Sequence, residues 1–427
     1  LQKQEKEQLA AFYSKSANHT DMPIELKKNG NQFIYSNCQS QLKYYLYKKG
    51  VFIMINSRRL LNTFLELVQI NSETGNEETI QPILKKKFID LGLKVVEDNA
   101  SKREWLGANN LICTLPSSKG KEHVSKIYFT SHMDTVVPGI NVKPILKEDG
   151  YVYSNGTTVL GADDKAGIAA LLEMIQTINE QQLPHGQIQF IITVGEEAGL
   201  KGAKELDQNL IDAEFGYAVD ASQAVGTTVV GAPTQMIINT TIYGKTAHAS
   251  KPNQGISAIH IAAKAINKMH LGQIDQDTTA NIGKFYGGSA TNIVADKVIL
   301  EGEARSHNDK SLEYQVNHMK ETFETTAKEL GGKANVEISK SYPGFRRNDS
   351  ETVTQYAIKS AKILGLSGKT VIAGGGSDGS IINTYHIPTV ILGVGYEHIH
   401  TTSERIPVAA LNQLTNQLIK IVELVAK

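Results

Sequence analysis

The sequence predicts an α/β protein with a mostly parallel central sheet and an inserted α+β unit. After an opening amphipathic helix, apolar strand-like runs alternate with amphipathic helices, an order that is typical of parallel sheets. Runs of this kind occupy residues 127–130, 188–194, 215–219 and 389–394, and acidic or imidazole side chains follow each of them. Because the carboxyl ends of parallel strands meet at one edge of a sheet, these side chains should converge there.

The inserted unit begins where the pattern changes near Pro233 and ends near Pro343. The alternation of apolar residues predicts strands at 235–243, 281–286, 292–304 and 335–341 and helices at 255–269 and 310–330. Their β-α-β-β-α-β order is that of a ferredoxin-like unit. A chain of 427 residues exceeds the size of one hydrophobic core. We therefore expect a first domain formed by 54–232 and 343–427, with residues 233–342 inserted in it.

Residues 1–53 differ in composition from the rest of the chain. The first fifty residues carry eight lysines against four acidic residues and show neither helical nor strand periodicity. A helical pattern starts after Met54, with Leu60, Leu61 and Phe64 at helical spacing. Our interpretation is that Met54 is the natural start and that residues 1–53 are a translated leader or an added, non-native segment. A genuine N-terminal extension is the alternative.

The composition excludes several classes of partner. Lysine plus arginine equals aspartate plus glutamate at 44 each, and there is no long basic run, so we expect no nucleic-acid partner. Cys38 and Cys113 provide neither a disulfide framework nor a thiolate zinc site, so any metal must be bound by His, Asp or Glu. The apolar stretch at 51–55 is too short for a signal peptide or a membrane span. We expect a cytoplasmic protein that does not associate with a membrane.

Metal-type ligands stand at the ends of separated segments of the chain. These segments are Ser131-His132-Met133-Asp134, Asp163-Asp164-Lys165, Glu196-Glu197, Asp220 and His400. Two imidazoles with several carboxylates are the ligand set of a pair of borderline metal ions such as zinc. The sequence therefore favours a metal-assisted hydrolase.

Four motifs carry a resemblance to a known family. They are Ser-His-Met-Asp-Thr-Val from position 131, Gly-Ala-Asp-Asp-Lys-Ala-Gly from 161, Gly-Glu-Glu-Ala-Gly-Leu-Lys-Gly-Ala from 195 and His-Thr-Thr-Ser-Glu-Arg-Ile from 400. From about Met54 to Lys427 the chain resembles the M20 family of zinc metallopeptidases, and most closely its peptidase T branch. The resemblance implies a zinc-exopeptidase-like catalytic domain whose inserted ferredoxin-like domain serves as a lid and in dimerisation.

The resemblance also implies a ligand set for two zinc ions per subunit, with manganese or cobalt as substitutes. Asp163 would bridge both ions, as one shared carboxylate allows two cations to lie close together. His132 and Asp220 would complete one ion, and Glu197 and His400 the other. In this family the peptide bond after the bridging aspartate, here Asp163-Asp164, is cis.

Two acidic residues would assist the metal ligands. Asp134 would accept the second N–H of the His132 ring and fix its tautomer. Glu196 would be the general base, which takes a proton from the attacking water and passes it to the leaving amine. His398 is the alternative to His400, because both lie in Glu-His-Ile-His, and the family pattern His-x-x-x-Glu favours His400.

The inserted domain would contribute to substrate binding. His248 matches a histidine that reaches the site of a neighbouring subunit and polarises the scissile carbonyl, which makes a homodimer necessary. Asn292 and Arg305 match positions that hold a substrate carboxylate. The glycine-rich segment 374–379 resembles a loop that lines the substrate cleft, where missing side chains permit close backbone approach.

The function that follows is that of a tripeptidase-type aminopeptidase, which hydrolyses the N-terminal peptide bond of short peptides. An N-acyl amino acid amidohydrolase or a dipeptidase of the same family is the first alternative. A non-catalytic binding dimer that keeps only the fold is the second, and the presence of Glu196 and of every ligand position argues against it.

Overall fold

The computed structural model describes residues 55–103 and 105–427, together with the backbone of 27–29 and 32–34. The chain divides into two compact units, Leu1–Met54 and Ile55–Lys427. In the first unit, strands β1 (Lys27–Asn29) and β2 (Gln32–Ile34) pair as an antiparallel ribbon. The expected leader at 1–53 otherwise lies outside the described residues and stays a prediction.

The described second unit contains two main sheets with helices packed against both, and two small sheets of two and three strands. Its longer helices are α1 (Ser57–Val68), α2 (Ile80–Asp90), α3 (Ala162–Gln181), α4 (Lys201–Glu205), α5 (Ala258–Lys268), α6 (Asp309–Glu329), α7 (Thr352–Ile363), α8 (Asp378–Ile382) and α9 (Val408–Val425). Its strands are β3 (Lys94–Glu97), β4 (Leu111–Leu115), β5 (Ile127–His132), β6 (Ile145–Leu146), β7 (Tyr151–Tyr153), β8 (Ile188–Thr193), β9 (Phe215–Ala221), β10 (Thr227–Val229), β11 (Gly231–Ala232), β12 (Thr234–Tyr243), β13 (Gly272–Gln273), β14 (Thr278–Gly287), β15 (Lys297–Ser306), β16 (Lys333–Tyr342), β17 (Phe345–Arg346), β18 (Lys369–Val371), β19 (Thr389–Gly393) and β20 (Arg405–Pro407).

The larger sheet has the strand order β18-β10-β19-β9-β5-β8-β4-β3. Its four central strands, β19, β9, β5 and β8, are parallel, whereas β4 and β3 add antiparallel strands at one side. The predicted mixed α/β fold with a mostly parallel centre is confirmed. After β5 the chain places β8 on one side of it and β9 on the other, so the order reverses at β5. Open α/β sheets bind ligands at such a switch point, beyond the carboxyl ends of the strands.

Apolar side chains on both faces hold the central strands in place. On one face, the rings of Phe88, Phe190, Phe129 and Tyr217 stack in sequence with centroid separations of 6.1, 6.1 and 5.5 Å. On the other face, Tyr128 packs in a cluster with residues of the neighbouring strands and with Ile382 of α8. Strands covered on both sides have continuous apolar sequences, which is why the runs were recognisable in the sequence.

Helix α3 carries Asp163 and Asp164 in its first turn, where the backbone departs from helical geometry. Arg59 of α1 anchors this helix, because its guanidinium donates to Glu173 at 2.7 Å and to Glu180 at 2.6 Å. These bonds hold the middle and the carboxyl-terminal part of α3 to α1, and at the start of the helix the Asp163 N–H donates to Glu404 at 3.0 Å.

The smaller sheet has the order β13-β14-β15-β12-β16 and is antiparallel throughout. Helices α5 and α6 cover one face, and their side chains pack with the strands in a core that includes Met319 and Phe323. The order of the main elements follows the predicted one, with the short strand β13 added. The prediction of a strand at 292–304 was wrong at its start, because the strand begins at Lys297. Asn292 and Val294 instead bond to the segment 247–249.

No helix in the described part of the chain is long and apolar enough to cross a membrane. The cytoplasmic location stays a prediction.

The core of the smaller sheet can be tested on one helix. Phe323 of α6 is 0% exposed, and Tyr314 of the same helix is 69% exposed. We expect Phe323→Ala to lower the free energy of unfolding by about 3–5 kcal/mol, because it leaves a cavity in the core. Tyr314→Ala should change it by less than about 0.5 kcal/mol. Urea denaturation followed by circular dichroism measures both changes, and equal effects would contradict this description of the core.

Candidate active site

Five predicted side chains meet at the carboxyl edge of the larger sheet. His132 ends β5, Asp220 lies near the end of β9, and Glu197 follows β8. Asp163 begins α3, and His400 lies in the loop after β19. His132, Asp163 and Glu197 have ligand atoms within 4.8 Å of one another, and so do His132, Asp220 and the adjacent Asp164. The structure therefore brings together residues that are separated by up to 268 positions in the sequence.

Asp163 lies between the two histidines. Its Oδ1 is 3.1 Å from His132 Nε2, and its Oδ2 is 3.5 Å from His400 Nε2. Asp220 Oδ1 is on the His132 side, 3.9 Å from Nε2, and Glu197 is on the His400 side, 3.0 Å from Nε2. The five side chains thus form two groups of donors that share one carboxylate.

Two expectations about this cluster can be compared with the structure directly. The Asp163-Asp164 peptide bond is cis. His400, rather than His398, contacts Asp163 and Glu197.

Asp134 connects His132 to the acidic pair at 196–197. Its carboxylate accepts backbone hydrogen bonds from Glu196 at 3.0 Å and Glu197 at 3.2 Å, and one from the Thr74 hydroxyl at 2.7 Å. His132 Nδ1 is 3.4 Å from this carboxylate and 3.1 Å from the backbone carbonyl of Asp134. The backbone carbonyl and the side-chain carboxylate of Asp134 therefore both orient the imidazole. The carboxylate also fixes the turn that carries Glu196.

The electrostatics of the cluster favour bound cations. Burial and the neighbouring Asp163 raise the pKa of Asp220 well above its ordinary value. Burial and Asp220 do the same to the pKa of Glu196. Hydrogen bonds to Asp163 and Glu197 raise the pKa of His400 to about 10. When ionised, the buried carboxylates of this cluster carry more negative charge than the two imidazoles neutralise. Metal cations would therefore stabilise them.

A cavity of about 610 Å³ opens beside the cluster. Its walls include Glu196, the glycine segment at 374–376 and Arg305 of the smaller sheet. Arg305 donates from Nε to Glu303 at 2.9 Å and from Nη1 to the Gly374 carbonyl at 3.3 Å. Both sheets therefore contribute to one cavity that has the size of a small-molecule site.

His248 and Asn292 lie elsewhere on this chain. Both are exposed, and neither belongs to the described residues that line the cavity. They are neighbours, because the Ala249 N–H donates to the Asn292 carbonyl at 2.9 Å and His248 pairs with Ile293. Of the three predicted substrate-binding residues, the structure brings Arg305 to the cavity and places the other two together outside it.

Three residues around the site were not assigned a role from the sequence. The buried Glu77 accepts backbone hydrogen bonds from Gly75, Gly107 and Gly195 at 2.9–3.1 Å. Glu404 accepts backbone hydrogen bonds from the segment 160–163, including that of Asp163 at 3.0 Å. The Tyr396 hydroxyl donates to Asp220 at 3.1 Å. Glu404 stood in the motif that follows His400, whereas Glu77 and Tyr396 had no recognised signal.

The chain resembles proteins of known family. Residues 128–424 match the family described as Peptidase family M20/M25/M40. The structure resembles that of a tripeptidase from Staphylococcus aureus subsp. aureus Mu50, with 69% identity, a TM-score of 0.84 and coverage of 87% of this chain and 99% of that one. It also resembles aminopeptidase PepT from Bacillus cereus ATCC 10987, with 54% identity, a TM-score of 0.79 and coverage of 87% and 100%.

A sequence relative adds to these matches. The protein YqjE of Bacillus subtilis (strain 168), which is itself uncharacterised, is 52% identical over 375 residues, which cover 88% of this chain and all of that protein. The chain belongs to peptidase family M20/M25/M40, and it is a metal-dependent exopeptidase near the peptidase T branch of that family.

Proposed function

We propose that this chain is a two-zinc aminopeptidase of the tripeptidase type, which removes the N-terminal residue from short peptides. The observation that carries the proposal is the position of Asp163, with one carboxylate oxygen facing His132 and the other facing His400. Asp220 lies beside the first imidazole and Glu197 beside the second. Two cations that share one bridging carboxylate require this arrangement of donors. The similarity to a structure described as a tripeptidase supports the substrate class.

The donor set fits zinc. Imidazole nitrogens and carboxylate oxygens are zinc ligands, and manganese or cobalt are expected substitutes at such a site. The excess of buried carboxylates supports the presence of more than one cation. When bound, the ions would polarise the scissile carbonyl and lower the pKa of a water molecule.

Glu196 would be the general base. It lines the cavity beside the ligands, and its backbone is held by Asp134. Burial and Asp220 raise the pKa of its carboxyl, which makes the carboxylate a stronger proton acceptor than an exposed glutamate. The same side chain would then deliver the proton to the leaving amine.

Arg305 would bind the free carboxylate of the peptide. Glu303 accepts from Nε and Nη2 of its guanidinium, and the Gly374 carbonyl accepts from Nη1. These bonds orient the side chain and leave one N–H of Nη1 and one of Nη2 for a ligand. An arginine held in this way suits bidentate recognition of a carboxylate. A carboxylate site in the same cavity of about 610 Å³ as the proposed metal ligands favours short peptides. An N-acyl amino acid amidohydrolase or a dipeptidase also presents such a carboxylate and remains the alternative.

The residues 233–342 would form an inserted, ferredoxin-like lid and dimerisation domain. His248 is exposed outside the cavity of its own chain, which supports a role at the site of a partner. Within the described chain, β13 pairs with only two residues of β14, and exposed Phe285 and Tyr286 follow on the remaining edge. Unpaired strand edges with apolar side chains are suited to association. We infer a homodimer in which His248 acts in trans.

Substitution of the proposed base separates binding of metal from catalysis. We expect Glu196→Gln to retain the bound metal, because Glu196 is not a ligand, and to lower kcat by about 10²–10⁴-fold, as for loss of a general base. Metal analysis and tripeptide hydrolysis measure the two effects, with the exposed Glu148→Gln as control. Near-normal turnover would remove Glu196 from this role, and loss of metal would make it a ligand instead.

The trans role of His248 can be tested by complementation. His248→Ala and Glu196→Gln should each be inactive as homodimers. In a heterodimer of the two, one site combines an intact Glu196 with His248 of the partner and should restore about half of the parent rate. Co-expression with two affinity tags isolates this heterodimer, and a parent dimer with both tags is the control. A heterodimer without activity would contradict the assignment in trans.

The role of Arg305 can be tested with substrates that differ in charge. We expect the parent to hydrolyse a tripeptide about 10–100-fold better than its C-terminal amide, in kcat/KM, because the amide loses a charge-assisted hydrogen bond. Arg305→Gln should remove this difference, whereas the exposed Arg58→Gln should keep it. An unchanged preference in Arg305→Gln would exclude the proposed contact. Faster hydrolysis of an N-acetyl amino acid than of the tripeptide would favour the alternative function.

A further inference from the structure

Tyr396 makes a polar contact with one of the proposed metal ligands. It lies in the loop after β19, and its hydroxyl donates to Asp220 Oδ1 at 3.1 Å. The residue is 2% exposed and borders the same cavity as Asp220. The same Asp220 oxygen is 3.9 Å from His132 Nε2, so the hydroxyl acts on the oxygen that faces the other ligand of that group.

The hydrogen-bond donor to Asp220 differs from the partners of the other two carboxylates, because Tyr396 is not itself a proposed metal ligand. Asp163 faces two imidazoles, and Glu197 is bonded to His400. Within the described residues, the Tyr396 hydroxyl is the hydrogen-bond donor that the structure provides to the Asp220 carboxylate. This bond is therefore the contact by which the protein restricts rotation of the carboxylate about its Cβ–Cγ bond.

The backbone fixes the positions of both partners. Gly393 pairs with Ala221 in the sheet, and the Val394 N–H donates to the Ala221 carbonyl at 2.8 Å. Gly395 then turns the chain with a φ of 86°, in the left-handed region that favours glycine. Asp220 and Tyr396 therefore lie within two residues of a shared backbone contact, and the phenol has a defined position relative to the carboxylate.

We propose that Tyr396 is a positioning residue that holds the Asp220 carboxylate in its orientation for the metal ion shared with His132. The inference rests on the proposed function, which supplies the ion. A phenol donates one charge-assisted hydrogen bond to a carboxylate. The other lone pairs of the carboxylate stay available to a cation. Loss of such an outer partner typically weakens metal binding by about 10–100-fold. A tyrosine that only filled space would affect folding without distinguishing one ion from the other.

The test is a Zn²⁺ titration of the full chain against a chromophoric chelator. The parent should bind two ions. In Tyr396→Phe, which keeps the ring, we expect one binding step to weaken by about 10–100-fold and the other to stay within about twofold. Tyr217→Phe is the matched control, because Tyr217 is also buried and its hydroxyl donates at 3.1 Å to the Val353 carbonyl rather than to a ligand. Both steps should be unchanged in that variant.

Two results would overturn the inference while leaving the proposed function intact. They are two unchanged steps in Tyr396→Phe, or two steps that weaken equally. A parent chain that binds fewer than two ions would instead contradict the proposed function.

A second measurement distinguishes an effect through Asp220 from a general effect of the substitution on folding. Tyr396→Phe should add no further weakening in an Asp220→Asn background, because the two residues act through one carboxylate. Additive weakening in the double variant would show that Tyr396 acts elsewhere, and it would reject the inference.

Discussion

The candidate active site depends on buried carboxylates that lie together at the carboxyl edge of the central sheet. Burial of an ionised carboxylate is costly unless a cation or several hydrogen bonds compensate it. Here Asp163 offers one oxygen to each of two imidazoles, and Asp220 and Glu197 lie beside them. Such a cluster persists only where a rigid scaffold holds it, and parallel strands that are covered on both faces provide that scaffold. The same concentration of negative charge is what a pair of metal cations requires.

A second group of buried carboxylates holds the loops between these strands. Glu77, Asp134 and Glu404 each accept backbone N–H groups from irregular segments that lead to a ligand or to Glu196. Loops have unpaired backbone donors, and a buried carboxylate can accept several of them at once. Lys165 compensates part of this charge: it is fully buried, donates to the Ile70 carbonyl at 3.1 Å, and burial lowers its pKa to about 8. The geometry of the cluster is therefore set by residues that need not touch the metal.

Much of this site could be predicted from the sequence because its residues follow long apolar strands. A strand that is buried on both faces has a continuous apolar sequence, and its carboxyl end is where His132, Glu197 and Asp220 appear. Glu77 and Tyr396 could not be predicted in this way. Glu77 lies in a loop without periodicity, and its partners at Gly107 and Gly195 are distant in sequence. The start of β15 was misplaced for a similar reason, since residues 292–294 have strand-like composition but pair with the loop that carries His248.

Residues of both sheets line the cavity, and under the proposed function this arrangement would relate the fold to the length of the substrate. The metal-type ligands lie at the carboxyl edge of the larger sheet, whereas Arg305 belongs to β15 of the smaller one and donates to the Gly374 carbonyl of the glycine segment. A peptide that is bound at both ends must span the separation that the fold imposes, so the position of β15 relative to the sheet edge limits the number of residues between the two contacts. His248 lies in the loop after β12 of the smaller sheet, outside this cavity. Under the proposed function, residues 233–342 would have two roles. They would limit substrate length within their own chain, and they would complete the catalytic site of the partner.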